Sequence, residues 1–270
     1  MKPSLLAAHH RLAQIVTFLS HPTKLISTIS KHHELAPHIM NRTVLLVGAN
    51  RGIGLNLARA LAANSWNVIG SVRPQTRADN DPSIKEIEAV ASRVLEINLT
   101  DESTIAKAAE EFGEGPLDML ITLAGIGPEP DNWWEHTAKI LTDKFTTNTV
   151  GPFLTSKYFY HNLKKASGTI INISSNAGSI SMCKGEDMAY RMSKAALNMM
   201  TVTMAKEFQM NNDNITVLAV NPGYVATRLT NFRSRDDMDE CIAGIVKVLE
   251  NVSMEQTGTF LDWRGQTLPW

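Results

Sequence analysis

The sequence predicts an α/β fold: a single domain built on a doubly wound parallel sheet, preceded by an N-terminal extension. Three observations carry that reading. From Thr43 onward, short β-branched or apolar runs alternate with longer helical segments; the first, fourth and fifth runs are almost wholly apolar; and a glycine-rich turn follows the first run directly. With 270 residues, 43% of them hydrophobic and 20% charged, the chain can bury a sizeable core.

Residues 1–40 differ from the rest. Lys2, Arg11, Lys24 and Lys31 stand against the single acid Glu34, a balance of +3 that leaves −4 for the remainder of a chain whose net charge is −1. Six of the eight histidines also lie here. Apolar residues from Leu5 to Ile29 recur at helical spacing, which predicts two short amphipathic helices broken near Pro22, loose or packed on the surface. No run is long enough for a membrane span, and His9, His10 and Arg11 cut short any secretory signal. The expected location is cytoplasmic. The alternative is mitochondrial, since the basic, acid-poor composition resembles a transit peptide, and Met40 is an alternative start. The paired histidines have no carboxylate or cysteine at ligand spacing, so no metal is expected.

The domain proper is placed at 41–270. Strands are expected at 43–47, 67–69, 94–97, 119–123, 169–173 and 215–220, and helices at about 52–64, 101–112, 135–163, 189–211 and 237–250. That alternation implies right-handed crossovers and a sheet covered on both faces, where strands read as continuous apolar runs. No internal repeat or Pro/Gly/Ser linker divides the region.

The near-neutral charge and pI near 6.7 leave no basic field for nucleic acid. Cys183 and Cys241 suit neither a disulfide framework nor a zinc cluster.

The turn after the first strand reads Val47-Gly48-Ala49-Asn50-Arg51-Gly52-Ile53-Gly54 and opens a helix rich in Ala and Leu. Gly48 permits the tight turn, Gly52 lets the backbone approach a pyrophosphate, and Gly54 allows close helix packing, while the helix N-terminus favours an anion. A dinucleotide cofactor follows. Nineteen residues after Gly54, where an acid would receive the ribose hydroxyls of NAD, stands Arg73. With Arg51 it favours a 2′-phosphate, hence NADP(H).

Further motifs follow: Asn148 in Asn148-Thr-Val-Gly-Pro152, Ser174-Ser175, Tyr190-Arg-Met-Ser-Lys194 and Asn221-Pro-Gly223. In this order, over roughly residues 43–265, they resemble the short-chain dehydrogenase/reductase family, whose fold is Rossmann-type. The ending from Gly258 to Trp270 resembles the C-factor-like and sniffer-like carbonyl reductases. The resemblance implies reduction of a ketone or aldehyde to an alcohol, or the reverse, with pro-S hydride transfer. The competing reading is a catalytically weak NADP(H)-binding scaffold or redox sensor on the same fold.

Spacing of four puts Tyr190 and Lys194 on one helix face. A neighbouring ammonium favours phenolate and is expected to bring the tyrosine toward its working range. By resemblance, Tyr190 is the proton donor or acceptor, Lys194 also holds the nicotinamide ribose, Ser175 hydrogen-bonds the carbonyl oxygen, and Asn148 kinks its helix and holds a proton-relay water. Cofactor contacts are expected from Gly48, Asn50, Arg51, Gly52, Ile53, Gly54, Arg73, Asn98, Leu123, Val225 and Thr227, together with Asn148, Tyr190 and Lys194.

The chain departs from the family in four places. Val47 and Leu123 replace polar residues that brace the adenosine side, which would weaken cofactor affinity, and Asn98 replaces an Asp, its amide oxygen still able to accept from adenine. The gap from Ser175 to Tyr190 is about two residues longer than usual, which implies a remodelled loop at the substrate mouth. Trp133 and Trp134 would add an aromatic wall suited to a bulky or planar carbonyl, for instance a polyketide-like or other secondary metabolite; plain packing is the alternative. The expected partners are a small carbonyl or alcohol substrate and, by resemblance, a second copy of the chain in a homodimer or homotetramer.

Overall fold

The computed structural model describes residues 42–127, 130 and 132–270. The expectations for residues 1–40, including the two helices, the transit-peptide alternative and Met40, lie outside the described residues. Seven parallel strands form one sheet in the order β3-β2-β1-β4-β5-β6-β7. In chain order these are β1 (Thr43–Val47), β2 (Asn67–Val72), β3 (Arg93–Glu96), β4 (Met119–Thr122), β5 (Thr169–Ile173), β6 (Thr216–Asn221) and β7 (Thr259–Asp262). The helices are α1 (Gly52–Ala63), α2 (Pro74–Ala78), α3 (Ser83–Glu88), α4 (Glu102–Phe112), α5 (Ala138–Phe145), α6 (Gly151–Tyr158), α7 (Tyr160–Ala166), α8 (Met188–Met210) and α9 (Met238–Asn251). The doubly wound Rossmann-type sheet is therefore as expected, with one strand more than the six apolar runs implied. The seventh, β7, is four residues long and ends in Asp262, too short and mixed to show a period.

The continuous apolar runs have the expected cause. Along β1, Val44 and Leu46 pack into one core layer, while Leu45 and Val47 pack into the other. Each strand face is roofed by helices, so the period of two survives in direction but not in polarity. On the first face Leu57 and Leu61 of α1 meet Ile245 and Leu249 of α9; on the second, Ile105 of α4 joins Phe159, Leu163 of α7 and Ala205 of α8. Caps fix where helices begin: Asp101 Oδ1 accepts from Ser103 N–H (3.0 Å), and Asp237 Oδ1 accepts from Asp239 and Glu240 N–H (2.9 and 3.0 Å).

Strand order reverses between β1 and β4, and there the loops leaving their carboxyl ends part to open a crevice. Both cysteines are free, Cys183 exposed and Cys241 buried. Among the described residues no helix is long and apolar enough to cross a membrane.

Candidate active site

A cleft of about 970 Å³ occupies that crevice. Ten of the expected cofactor residues line it: Gly48, Asn50, Arg51, Gly52, Ile53, Gly54, Arg73, Asn98, Leu123 and Thr227. Val225 is buried and is not among the lining residues. The turn is a cradle that side chains would fill. Gly48 has φ +89°, and a Cβ there would sit 2.7 Å from Ala124 Cβ, while one on Gly54 would run into the Gly48 carbonyl. The N-cap of α1, Arg51, places no side chain over the first helical N–H groups.

Val47 does not leave the turn unbraced. Its carbonyl accepts from the N–H groups of Leu123 (3.0 Å) and Ala124 (2.9 Å), tying the β1 and β4 loops together. Ser71, buried near the end of β2, supplies the polar support: its hydroxyl accepts from Gly48 N–H (3.1 Å), and its carbonyl accepts from Ala49 N–H (3.1 Å). The expectation for Asn98 changes. Its amide oxygen already accepts from Thr100 N–H (3.2 Å) and from the Thr100 hydroxyl (3.0 Å), so both lone pairs are engaged and its amide nitrogen is the group left to face the cleft.

Arg51 and Arg73 share the cleft wall with a third cation, Arg228. The Arg51 guanidinium is held below its usual range, first by partial desolvation in the cleft and then by the charges of Arg228 and Arg73. Among the described residues no carboxylate lies within ion-pair distance of any of the three.

None of the four expected catalytic residues lines the cleft itself; they gather off the carboxyl ends of β4 and β5, where Asn148 and Lys194 are hydrogen-bonded to the lining residues Ile126 and Ile173. Asn148 sits in a π-helical turn, Thr146–Val150, that joins α5 to α6. Pro152 has no N–H for the carbonyl four residues back, so the ladder widens here and Gly151 N–H donates to Thr146 O. That irregularity is the expected break in the long helix. Asn148 is fully buried: its Oδ1 accepts from Ile126 N–H (2.9 Å), and its Nδ2 donates to Ile126 O and to Ser193 Oγ (both 3.0 Å). A Cβ on Gly125 would lie 3.0 Å from Asn148 Oδ1 and 3.9 Å from Lys194 Nζ, so the two polar ends converge over this glycine.

Lys194 Nζ donates to Ile173 O (2.8 Å) at the end of β5. The two serines separate cleanly. Ser174 is buried and donates to Asn198 Oδ1 (2.6 Å), whereas Ser175 is partly exposed, accepts from Ala177 N–H (3.1 Å) and stands near enough to the Tyr190 phenol to pull its proton affinity down. The phenol departs from expectation. Burial pushes Tyr190 up to about 12, against the pull of Ser175, and burial brings Lys194 down to about 8. Desolvation outweighs the ammonium, whose nitrogen stands 5.9 Å from the ring centroid.

The longer loop between Ser175 and Tyr190 is anchored at Ser181, whose N–H and hydroxyl donate to Trp270 O (3.0 and 2.8 Å). Trp133 and Trp134 stand 66% exposed on a short 3-10 helix outside the cleft lining, so core packing does not describe them. Sequence reasoning missed Ser71, Arg228 and Lys144, a buried lysine that lines the cleft and donates to Gly127 O. The one signal was a serine and a lysine at positions that fold inward.

The family model for short chain dehydrogenases matches residues 42–238. The NADPH-bound carbonyl reductase from chicken fatty liver is similar in structure at a TM-score of 0.75 and 34% identity, over 85% of this chain and 99% of that one. The carbonyl reductase Sniffer of D. melanogaster is similar at a TM-score of 0.77 and 27% identity, over 85% of this chain and all 100% of that one. An uncharacterized oxidoreductase of Saccharomyces cerevisiae is 26% identical over 246 residues, 83% of this chain and 95% of the yeast protein.

Proposed function

The chain belongs to the short-chain dehydrogenase family, as its motifs implied, and from that premise we propose that it interconverts a ketone or aldehyde and the corresponding alcohol with NADP(H). One observation carries the reading: Asn148, Ser175, Tyr190 and Lys194 gather off the ends of β4 and β5 beside a cleft with a glycine-rich turn, Asn148 and Lys194 being hydrogen-bonded to its lining residues Ile126 and Ile173. The residues present fit the cofactor. The glycines let the turn pack against Ala124, Thr227 and its own backbone with the uncapped N-terminus of α1 at the cleft, and the arginines that line the cleft have no carboxylate in ion-pair range among the described residues. The NADPH carried by the chicken carbonyl reductase supports the same choice. When bound, the nicotinamide supplies or accepts the hydride.

The remaining steps belong to the side chains. A phenol held protonated up to about 12 is in the donor form throughout the neutral range, so Tyr190 gives its proton to the carbonyl oxygen as negative charge develops there. Ser175, the hydroxyl beside that phenol, presents itself to the same oxygen. Lys194, anchored on Ile173 O, keeps a positive charge beside the donor at neutral pH and holds the nicotinamide ribose. Asn148 fixes the Ile126 backbone through two hydrogen bonds and so sets the floor of the site. The chain is proposed to act as a homodimer or homotetramer, a reading supported by the exposed Met188, Met192 and Met199 on α8.

Tyr190→Phe tests the reaction. The variant is expected to lose at least about 100-fold in NADPH-dependent carbonyl reduction while binding NADPH as the parent chain does. Undiminished turnover would remove Tyr190 from the chemistry, and absence of turnover in the parent chain itself across a carbonyl panel would assign the binding-scaffold reading instead.

A further inference from the structure

Arg228 begins the 3-10 helix Arg228–Thr230 in the segment that leaves β6. That segment lies directly on the glycine-rich turn, since a Cβ on Gly52 would sit 3.2 Å from Thr227 Cγ2. Its own hydrogen bonds hold it there. Thr227 N–H donates to Thr230 Oγ1 (3.0 Å), the Thr230 hydroxyl donates to Val225 O (2.9 Å), and Phe232 N–H donates to Thr227 O (2.8 Å). Arg73 enters the same cleft from the end of β2, on the other side of β1 and β4, and Arg51 comes from the turn between them.

Three guanidiniums share this cleft wall, and the Asp81 carboxylate that acts on Arg51 and Arg228 stands beyond ion-pair distance, so their arrangement suits an extended polyanion. The position of each decides which part it meets. Arg73 follows β2, where a ribose 2′-substituent is read, whereas Arg228 adjoins Thr227, whose Cγ2 packs 3.2 Å from where a Cβ on Gly52 would sit, at the turn that opens α1 and its N-terminal N–H groups. The geometry points to Arg228 as a contact for the cofactor pyrophosphate, closing from the β6 side a row of cations that starts at Arg73. The inference rests on the NADP(H) reading above and deepens it: Arg228 gives affinity for both nicotinamide dinucleotides, and Arg73 gives the preference between them.

Isothermal titration of the full chain with NADPH, NADH and 2′-AMP at fixed salt tests this without catalysis. Arg228→Ala and Arg228→Gln are expected to weaken NADPH and NADH by the same factor, about 10- to 100-fold for one charge-assisted contact, and to leave 2′-AMP unchanged. Arg73→Ala is expected to weaken NADPH and 2′-AMP and to spare NADH. Dinucleotide affinities unmoved by both Arg228 variants would overturn the assignment, as would a loss confined to NADPH and 2′-AMP. Melting temperatures of the cofactor-free variants equal to or above that of the parent chain would support a binding role, and a drop of several degrees would mark Arg228 as structural. A parent chain that binds neither dinucleotide would instead overturn the NADP(H) reading, a result that the Arg228 variants alone cannot produce.

Discussion

Lys194 and Tyr190 lie one helical turn apart on α8 with the ammonium 5.9 Å from the ring centroid, and both are buried, so their proton affinities move in opposite directions. Burial favours the neutral form of each. The phenol keeps its proton to about 12, and the ammonium gives one up at about 8.

This pair makes stability depend on pH in a stated direction. The lysine binds its proton more weakly folded (about 8) than unfolded (about 10.4), so between those values the unfolded chain holds more protons and stability rises with pH. Below about 8 the native state carries a buried charge. Lys194→Met is therefore expected to stabilise the cofactor-free protein at pH 7 by roughly 1–3 kcal/mol, a gain that fades by about pH 10. Denaturant unfolding at pH 7 and pH 10 measures it; a variant destabilised equally at both would show that the bond to Ile173 O dominates.

Ser71 is expected to act on both the turn and the cofactor. In Ser71→Ala the Gly48 N–H loses its acceptor, at a cost of about 1–2 kcal/mol. For a domain of this size that lowers Tm by about 2–8 °C. Thermal melts with and without NADPH check it, and the deficit should be larger with cofactor, because the loosened segment is the cradle itself.

Met192 and Met199, seven residues apart on α8, are 55% and 67% exposed, and Met188 continues the stripe one turn earlier. Met192→Asp with Met199→Asp is expected to shift the chain from a homo-oligomer to a monomer. Light scattering after size exclusion reads the mass directly, and an unchanged oligomer would place the subunit interface elsewhere.

Much of this architecture is legible in the linear chain because its causes are local. Strands β1, β4 and β5 announce themselves as almost wholly apolar runs, since both their faces are buried. The turn at Gly48 shows itself by glycines that side chains would block, and Tyr190 with Lys194 by helical spacing. The distinction between Ser174 and Ser175 rests on a motif; in space, the Ser174 hydroxyl is spent on Asn198. Short elements were harder to see. Helices α2 and α3, of five and six residues, lie below the length at which a period of 3.6 can be recognised, and β7 pairs at the sheet edge with only four.

The sequence by itself determined the strand and helix alternation, the cradle and the residue types that can carry a proton, because these follow from periods and side-chain chemistry along the chain. Only the tertiary structure decided that Ser71 braces the turn 23 positions away, that Arg228 joins Arg51 and Arg73, and that burial outweighs the Lys194 charge at Tyr190. Each of these depends on which distant residues exclude water from a group or face it across a cleft, and desolvation and Coulomb energies follow distance in space rather than along the chain.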